Sequence, residues 1–369
     1  FERLISPGRE PVVLEGLDLG PAPAKWTPDY LRNLPGAADM KVSVHVSREP
    51  SGRLDFVRKN FAFRVISFQE LITRLTNQAA EAASSGSSSG GSGAPAASGA
   101  AVPAAAPAAG EQQLDSRGGS SPQEGGGAGS SGGTSGSGVL PDLVPRGAQF
   151  GEGREVLYLR SIGENPRREA ANLSASFPLL AADLRLPPLF PPSALHSSVL
   201  RLGSPGLVLW THYDVMDNLL IQVTGTKRVL LWPPACHDAL HVTGSSSPIT
   251  RPQPDPDLTA FPRFAACPAP LLADLAPGDV LFLPSLWFHN VTTTGGHMSA
   301  SVNVFWRHLP QEFYHKKDLY ANRDLVQAEE ADKAADAALA QLSQLPEHYR
   351  AFYGARLLGR LGRELGLSA

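Results

Sequence analysis

The sequence predicts a mainly β domain with flanking helices: an antiparallel sandwich or jelly roll followed by a helical tail. Three observations lead there. From Val156 to Arg307, short apolar strands alternate with turn signals and no long helix separates them. From Asp324 the chain is rich in Ala, Gln and Glu, and apolar residues recur at helical spacing. Between about Asn77 and Gln149 it is mostly Gly, Ser, Ala and Pro, a composition with too few large apolar groups to offset chain entropy.

The elements follow in order. Pro11 to Gly16 reads as a short buried strand. Trp26 to Leu31 opens a helix, with Thr27 as N-cap and Pro28 at the first helical position. Lys41 to Val46 alternates with period 2, the mark of a half-buried strand. Ser67 and Glu70 are spaced as a capping box at the start of a second helix. Residues 77–149 are then expected to be a disordered insertion in a surface loop, which costs a fold little. Leu219 to Val223, Gly225-Thr226 and Arg228 to Trp232 read as a hairpin. Pro277-Gly278-Asp279 is a turn into the strand Val280 to Leu283, and Ser299 to Trp306 is a further strand. In the tail, Tyr349, Tyr353, Leu357, Leu361 and Leu365 form one apolar stripe, ready to pack on this domain or on a second subunit.

The chain of 369 residues suits one large domain or two ordinary ones. The first part is too short to fold comfortably alone. The division is therefore 1–76 as the first part of the domain, 77–149 as insertion, 150–310 as its core and 311–369 as C-terminal helices. A net charge of −3 announces no nucleic-acid partner. Two cysteines, Cys236 and Cys267, exclude a disulfide framework and suit a reducing compartment, cytoplasm or nucleus. No apolar run has the length of a membrane span. The chain opens on Phe1, so an upstream targeting segment stays open.

The chemistry lies in Thr211-His212-Tyr213-Asp214 and in the distant Trp287-Phe288-His289-Asn290. On a strand, His-x-Asp points both side chains to one face. A second histidine from another strand completes three ligands and leaves the opposite face of a metal open. Two histidines and a carboxylate are the facial set of non-haem Fe(II) oxygenases. Lys227 follows His212 by fifteen residues. An ammonium inside a barrel is costly unless it meets an anion, such as the far carboxylate of a dicarboxylic cosubstrate. Asn218 and Asn303 can bond a carboxylate at the metal, and Tyr158 can donate a hydroxyl hydrogen bond. Each residue has a plainer reading: Lys227 as a solvated charge after a turn, the asparagines as strand-end residues, Tyr158 as a core aromatic. His237, His241, His297, His308 and His315 read as surface or satisfied histidines, and Trp210, Trp287 and Trp306 as core.

Trp210 to Gly225, Ala276 to Val291 and Val302 to Pro310 closely resemble the JmjC-type Fe(II)/2-oxoglutarate oxygenases that hydroxylate wybutosine in tRNA. So do Pro11 to Asp18, Lys59-Asn60-Phe61, Tyr158 to Ser161 and Leu345 to Arg350. The resemblance implies a double-stranded β-helix, the jelly roll of cupins. It implies Fe(II) on His212, Asp214 and His289, 2-oxoglutarate on Lys227, and dioxygen as the other cosubstrate. It implies a homodimer through the C-terminal helices. The implied substrate is the anticodon loop of tRNA(Phe), with a wybutosine precursor at position 37. The chain departs from the family in the long insertion and in the Ser- and Pro-rich segment from Val242 to Ala266.

Arg58, Lys59, Arg64, Arg160, Arg167, Arg168 and Arg307 can neutralise RNA phosphates, or form an ordinary solvated face. Two other functions compete with the tRNA hydroxylase. One is a JmjC protein hydroxylase or lysyl demethylase. The other is a cupin-like binding protein without catalysis, which the complete triad and Lys227 disfavour.

Overall fold

The computed structural model describes residues 8–49, 51–55, 58–86, 155–250, 252 and 256–367. Eleven strands among them form two antiparallel sheets. Before the insertion come β1 (Val12–Leu14), the helices α1 (Ala22–Lys25) and α2 (Pro28–Arg32), β2 (Lys41–Ser47), β3 (Ala62–Ser67) and α3 (Phe68–Gly86). After it come β4 (Val156–Arg160), α4 (Leu173–Ser176), α5 (Pro178–Asp183), β5 (Leu195–Gly203), β6 (Asp217–Thr224) and β7 (Thr226–Trp232). β8 (Leu271–Leu275), β9 (Val280–Leu283), β10 (Phe288–Thr294), β11 (Ser299–Trp306), α6 (Val326–Ser343) and α7 (Glu347–Glu364) complete the chain. The major sheet has the order β1-β9-β6-β11-β5-β4-β2-β3 and the minor sheet β10-β7-β8.

Strands from both sides of the insertion share the major sheet, because β2 pairs with β4. Alternation sorts their side chains. Val44, Leu159, Leu202, Leu219, Ile221, Val302 and Val304 turn outward, where Trp26, Leu31, Phe68, Leu71 and Leu75 of α1 to α3 and their flanks cover them. Tyr158, Leu220, Leu281 and Leu283 turn inward, against Val229, Leu231, Ala273, Leu275 and Val291 of the minor sheet. The local signals hold: Thr27 Oγ1 accepts from Tyr30 N–H, and Ser67 Oγ from Glu70 N–H, each at 3.1 Å.

Three expectations are corrected. β6 and β7 are not a hairpin. Seven of the eight residues of β6 are buried, and its partners are β9 and β11, whereas β7 pairs with β8 and β10. A strand buried on both faces needs a neighbour on each edge, so the chain crosses between sheets at Gly225. Its φ is +70°, and a Cβ there would lie 2.3 Å from Met298 O. The strand after Pro11 is half-buried at a sheet edge, where it pairs with β9 alone among the described strands. Finally, α3 runs to Gly86, beyond the insertion's expected start at Asn77. Gln78 is buried; its Nε2 donates to Glu155 O at 2.8 Å and its Oε1 accepts from Ser204 Oγ at 2.7 Å. Residues 87–149 lie outside the described residues.

Candidate metal centre

His212 lies outside the long strands, in an isolated antiparallel bridge with His289 at the start of β10. Its N–H donates to His289 O at 3.1 Å, and His289 N–H donates to His212 O at 2.8 Å. Extended backbone then carries Asp214 to the same side as His212, while the Tyr213 hydroxyl turns away to donate to Asp324 at 2.6 Å. Leu286, at φ +71°, donates its N–H to Asp214 O at 2.8 Å and so ties the turn before β10 to the Asp214 backbone. A non-glycine residue in that conformation is strained, and such strain gathers at functional sites.

One ligand atom from each of His212, Asp214 and His289 lies within 4.8 Å of the others, the one such cluster among the described residues. The two imidazole centroids are 4.3 Å apart, and His289 Nε2 is 3.6 Å from Asp214 Oδ2. Each imidazole spends Nδ1 on a backbone carbonyl: His212 on Trp210 O at 2.9 Å, His289 on Trp287 O at 3.0 Å. Donation from Nδ1 fixes the tautomer and leaves each Nε2 lone pair for a metal. Asp214 Oδ2 is buried with no hydrogen-bond partner. Burial, and then the neighbouring His289, holds the His212 pKa well below its ordinary value; burial lowers His289 and raises Asp214. Neutral imidazoles with free Nε2 and an orphaned carboxylate oxygen are what a divalent cation requires.

Lys227 shares the inward face of β7 with Val229 and Leu231 and is 7% exposed. Its ammonium donates to Ser301 Oγ and meets no carboxylate in a salt bridge among the described residues. Burial, followed by the nearby Arg201 guanidinium, lowers its pKa to about 7. Asn218 and Asn303 are buried on the same inward face; Asn303 Nδ2 donates to Asn218 Oδ1 at 3.1 Å, and Asn303 Oδ1 has no partner. The Tyr158 hydroxyl accepts from Arg201 Nη1, which leaves its own proton to donate.

Arg201 is a further cation on the inward face, one that no motif of the sequence marks. It stands in register with Ser301 on β11 and Arg160 on β4, and its Nε is buried without a partner. A signal existed: an arginine alternating with Leu200 and Leu202 in an apolar strand is as conspicuous as Lys227. The Val242–Ala266 segment also matters, because Ser246 bridges His212, Ser245 O accepts from Tyr213 N–H at 3.1 Å and Ser247 N–H donates to Thr211 O at 2.9 Å.

The basic residues are scattered. Arg58, Lys59, Arg167 and Arg168 are exposed. Arg64 is committed to Glu155 at 3.0 Å, a carboxylate it shares with Arg74 and Arg48. Arg160 lies over the Tyr320 ring at 4.5 Å, and burial lowers its pKa to about 10. Arg307 is half-buried, with its Nε unpartnered. Trp287 and Trp306 are core residues, whereas Trp210 is only half-buried and its ring lies 5.5 Å from that of His212.

A family described as a cupin-like domain matches residues 147–312. The Homo sapiens protein named tRNA wybutosine-synthesizing protein 5 is 36% identical over 358 residues, covering 97% of this chain and 90% of that protein. Its Danio rerio namesake is 39% identical over 363 residues, 98% of this chain and 88% of the relative. The Aspergillus oryzae tRNA wybutosine-synthesizing protein 4 is 30% identical over 98% of this chain but only 27% of its own length. A solved structure titled "X-Ray structure of E. coli ycfD" covers 96% of this chain and 69% of its own, at 16% identity and a TM-score of 0.35, a likeness too slight to carry weight. With identity of this level spread over nearly the whole of both chains, on a cupin-like jelly roll with its His-Asp-His cluster, this chain belongs to the tRNA wybutosine-synthesizing protein 5 family of JmjC-type enzymes.

Proposed function

We propose that the chain is an Fe(II)- and 2-oxoglutarate-dependent hydroxylase. Its substrate is the side chain of a wybutosine precursor at position 37 of tRNA(Phe). The observation that carries the reaction class is a set of unmet demands in one place. Two imidazole Nε2 atoms and the orphaned Asp214 Oδ2 converge, and β7, the strand paired with that of His289, carries a buried ammonium with no carboxylate partner among the described residues; the Arg201 guanidinium acts on both. The substrate rests on the names of the relatives.

His212, Asp214 and His289 would hold Fe(II). Bound together, the metal, 2-oxoglutarate and dioxygen supply an oxidant, with succinate and CO2 as co-products. The chain's own groups do the rest. Lys227, supported by Ser301, neutralises the far carboxylate of 2-oxoglutarate. Tyr158 donates its hydroxyl proton, and Asn218 and Asn303 orient the near carboxylate. The inward apolar residues exclude water, which strengthens each charge contact. The remaining task is to place one substrate carbon at the metal's open face.

We also propose one catalytic unit made of residues 1–86 and 150–310, with 311–369 pairing two copies through their helices. Arg58, Lys59, Arg167, Arg168 and Arg307 would meet RNA phosphates, with Arg64 and Arg160 reached only by exchange of their present partners. A tRNA substrate puts the enzyme in the cytoplasm or nucleus. The test supplies hypomodified tRNA(Phe) with Fe(II), ascorbate and 2-oxoglutarate, followed by nucleoside mass spectrometry. One oxygen gained at position 37 is expected. No gain on tRNA, with hydroxylation or demethylation of a protein instead, would move the chain to the protein-directed alternative.

A further inference from the structure

The inward face of the major sheet continues past the cover of the minor sheet. Register places Gly203 beside Tyr158, Tyr158 beside His45, and His45 beside Phe63. This row leaves the site at Tyr158 and ends on the edge strand β3. There Phe63 is 46% exposed, and Val65, two residues on and on the same face, is 54% exposed. The rings touch along the way. His45 lies 5.4 Å from Tyr158, 5.0 Å from Phe61 and 4.5 Å from Phe63. Phe61 stacks on Trp210 at 6.5 Å with an interplanar angle of 14°, and Trp210 adjoins the metal ligand His212. A chain of ring contacts thus runs from the metal centre to the sheet edge, buried at Tyr158 and Phe61 and open to solvent at Phe63. Edge strands are ordinarily protected by charge, and an exposed apolar pair such as Phe63 and Val65 on one marks a binding surface.

Charge at the two ends of the row selects the occupant. Arg160 and Arg201 stand in register at the metal end. Arg58 and Lys59 are exposed just before β3 at the other. An exposed aromatic ring between two groups of cations suits a base between its two phosphates, with Arg160 reached by exchange of its Tyr320 contacts. His45 fits as an uncharged ring, since burial, with Arg160 and Arg201 adding, lowers its pKa to about 4.

We propose that Phe63, with the half-buried His45 beside it and the buried Phe61 behind, forms a stacking platform for an unstacked base of the RNA strand whose modified nucleotide enters the metal centre. This rests on the tRNA reading above. Stacking on one aromatic side chain is worth roughly tenfold in affinity. Binding of a labelled tRNA(Phe) anticodon stem-loop is measured by fluorescence anisotropy for the full chain and for Phe63→Ala, Phe63→Leu and Phe63→Tyr. Phe63→Ala and Phe63→Leu should weaken binding about tenfold and Phe63→Tyr should restore it. Fe(II) affinity should not change, which shows that the variants are folded. The salt dependence should keep its slope, because no phosphate contact is removed. Wild-type affinity in Phe63→Ala, or full recovery in Phe63→Leu, would overturn the platform. So would conversion of a dimer to monomers by Phe63→Ala, since the face would then lie between copies. If wild-type enzyme oxidises tRNA and Phe63→Ala binds as well, the platform alone fails. If wild-type enzyme neither binds nor oxidises tRNA, the function reading fails and takes the platform with it.

Discussion

The jelly roll and the C-terminal helices carry equally regular apolar patterns and meet opposite fates. All eight residues of β11 are buried, whereas α6 and α7 contain no buried residue among those described. Along α7 and its C-cap, Tyr349, Tyr353, Leu361 and Leu365 are 50%, 42%, 47% and 66% exposed. The jelly roll carries its own cover, with helices outside the major sheet and the minor sheet inside. The helices lack one in a single copy. A periodic apolar stripe therefore says which residues seek cover and leaves open which surface provides it.

The strongest way to test the comparison is to strike the buried half. His212→Ala or Asp214→Ala should bring turnover to background while the circular dichroism spectrum and melting cooperativity persist, because neither side chain belongs to the apolar clusters. Appreciable turnover in either variant would remove the metal assignment.

Lys227 comes next. With 2-oxoglutarate bound as proposed, Lys227→Ala would leave a buried carboxylate unpaired, at roughly 3–5 kcal/mol, so the 2-oxoglutarate constant should rise by roughly two to three and a half orders of magnitude. An unchanged constant would contradict the role. The pH dependence has a definite sign. The folded pKa of about 7 lies below the ordinary 10.5. Between those values the unfolded chain holds a proton that the folded one has released, so unliganded stability should rise with pH across that window. A carboxylate partner restores the charged ammonium, so binding takes up a proton above pH 7. Affinity for 2-oxoglutarate should fall by up to about tenfold per pH unit there. Calorimetry in buffers of different ionisation enthalpy would measure the uptake, and none at pH 8 would refute it.

The same contrast marks what the sequence could reveal. Alternation and turn residues gave β2, β9 and β11 nearly to their ends, and the capping signals at Thr27 and Ser67 are made as expected. The spacing of His212, Asp214 and His289 brought the triad together. What failed depended on pairing across distance. Gly225 looks the same in a hairpin and in a crossing between sheets; only the need of β6 for two neighbours separates them. Arg201 shows its inward position by alternation with Leu200 and Leu202, but its role lies in the Tyr158 hydroxyl and the register with Ser301, both remote in the chain. Asn77 was assigned to the insertion from composition, though a helix can extend through small residues when Gln78 finds buried partners.

The exposed half allows a milder test. Tyr353→Asp with Leu361→Asp places two carboxylates on the α7 stripe. Each side chain is worth about 1.5–3 kcal/mol when buried, so a helix-mediated dimer should weaken at least tenfold. Sedimentation velocity would record a dimer becoming monomer, with Fe(II) affinity unchanged. A monomeric wild-type chain, or a double variant as dimeric as wild type, would assign the stripe to another role.

The smallest effect is expected where composition allows no core at all. Residues 87–149 leave α3 at Gly86 and return toward Glu155, whose backbone accepts from Gln78 and whose carboxylate meets Arg74 at 3.0 Å. The return point therefore lies against α3 two turns before its end, about 12 Å of helix from Gly86. A bridge of about eight Gly and Ser residues can span that distance. Shortening the loop from roughly 70 residues to about eight lowers the closure cost by only about 2 kcal/mol. The replacement should thus raise the melting temperature slightly and leave turnover on tRNA unchanged. Loss of cooperative melting would show that the segment contributes to the core. Retained melting with lost tRNA turnover, but normal 2-oxoglutarate binding, would assign it to the RNA.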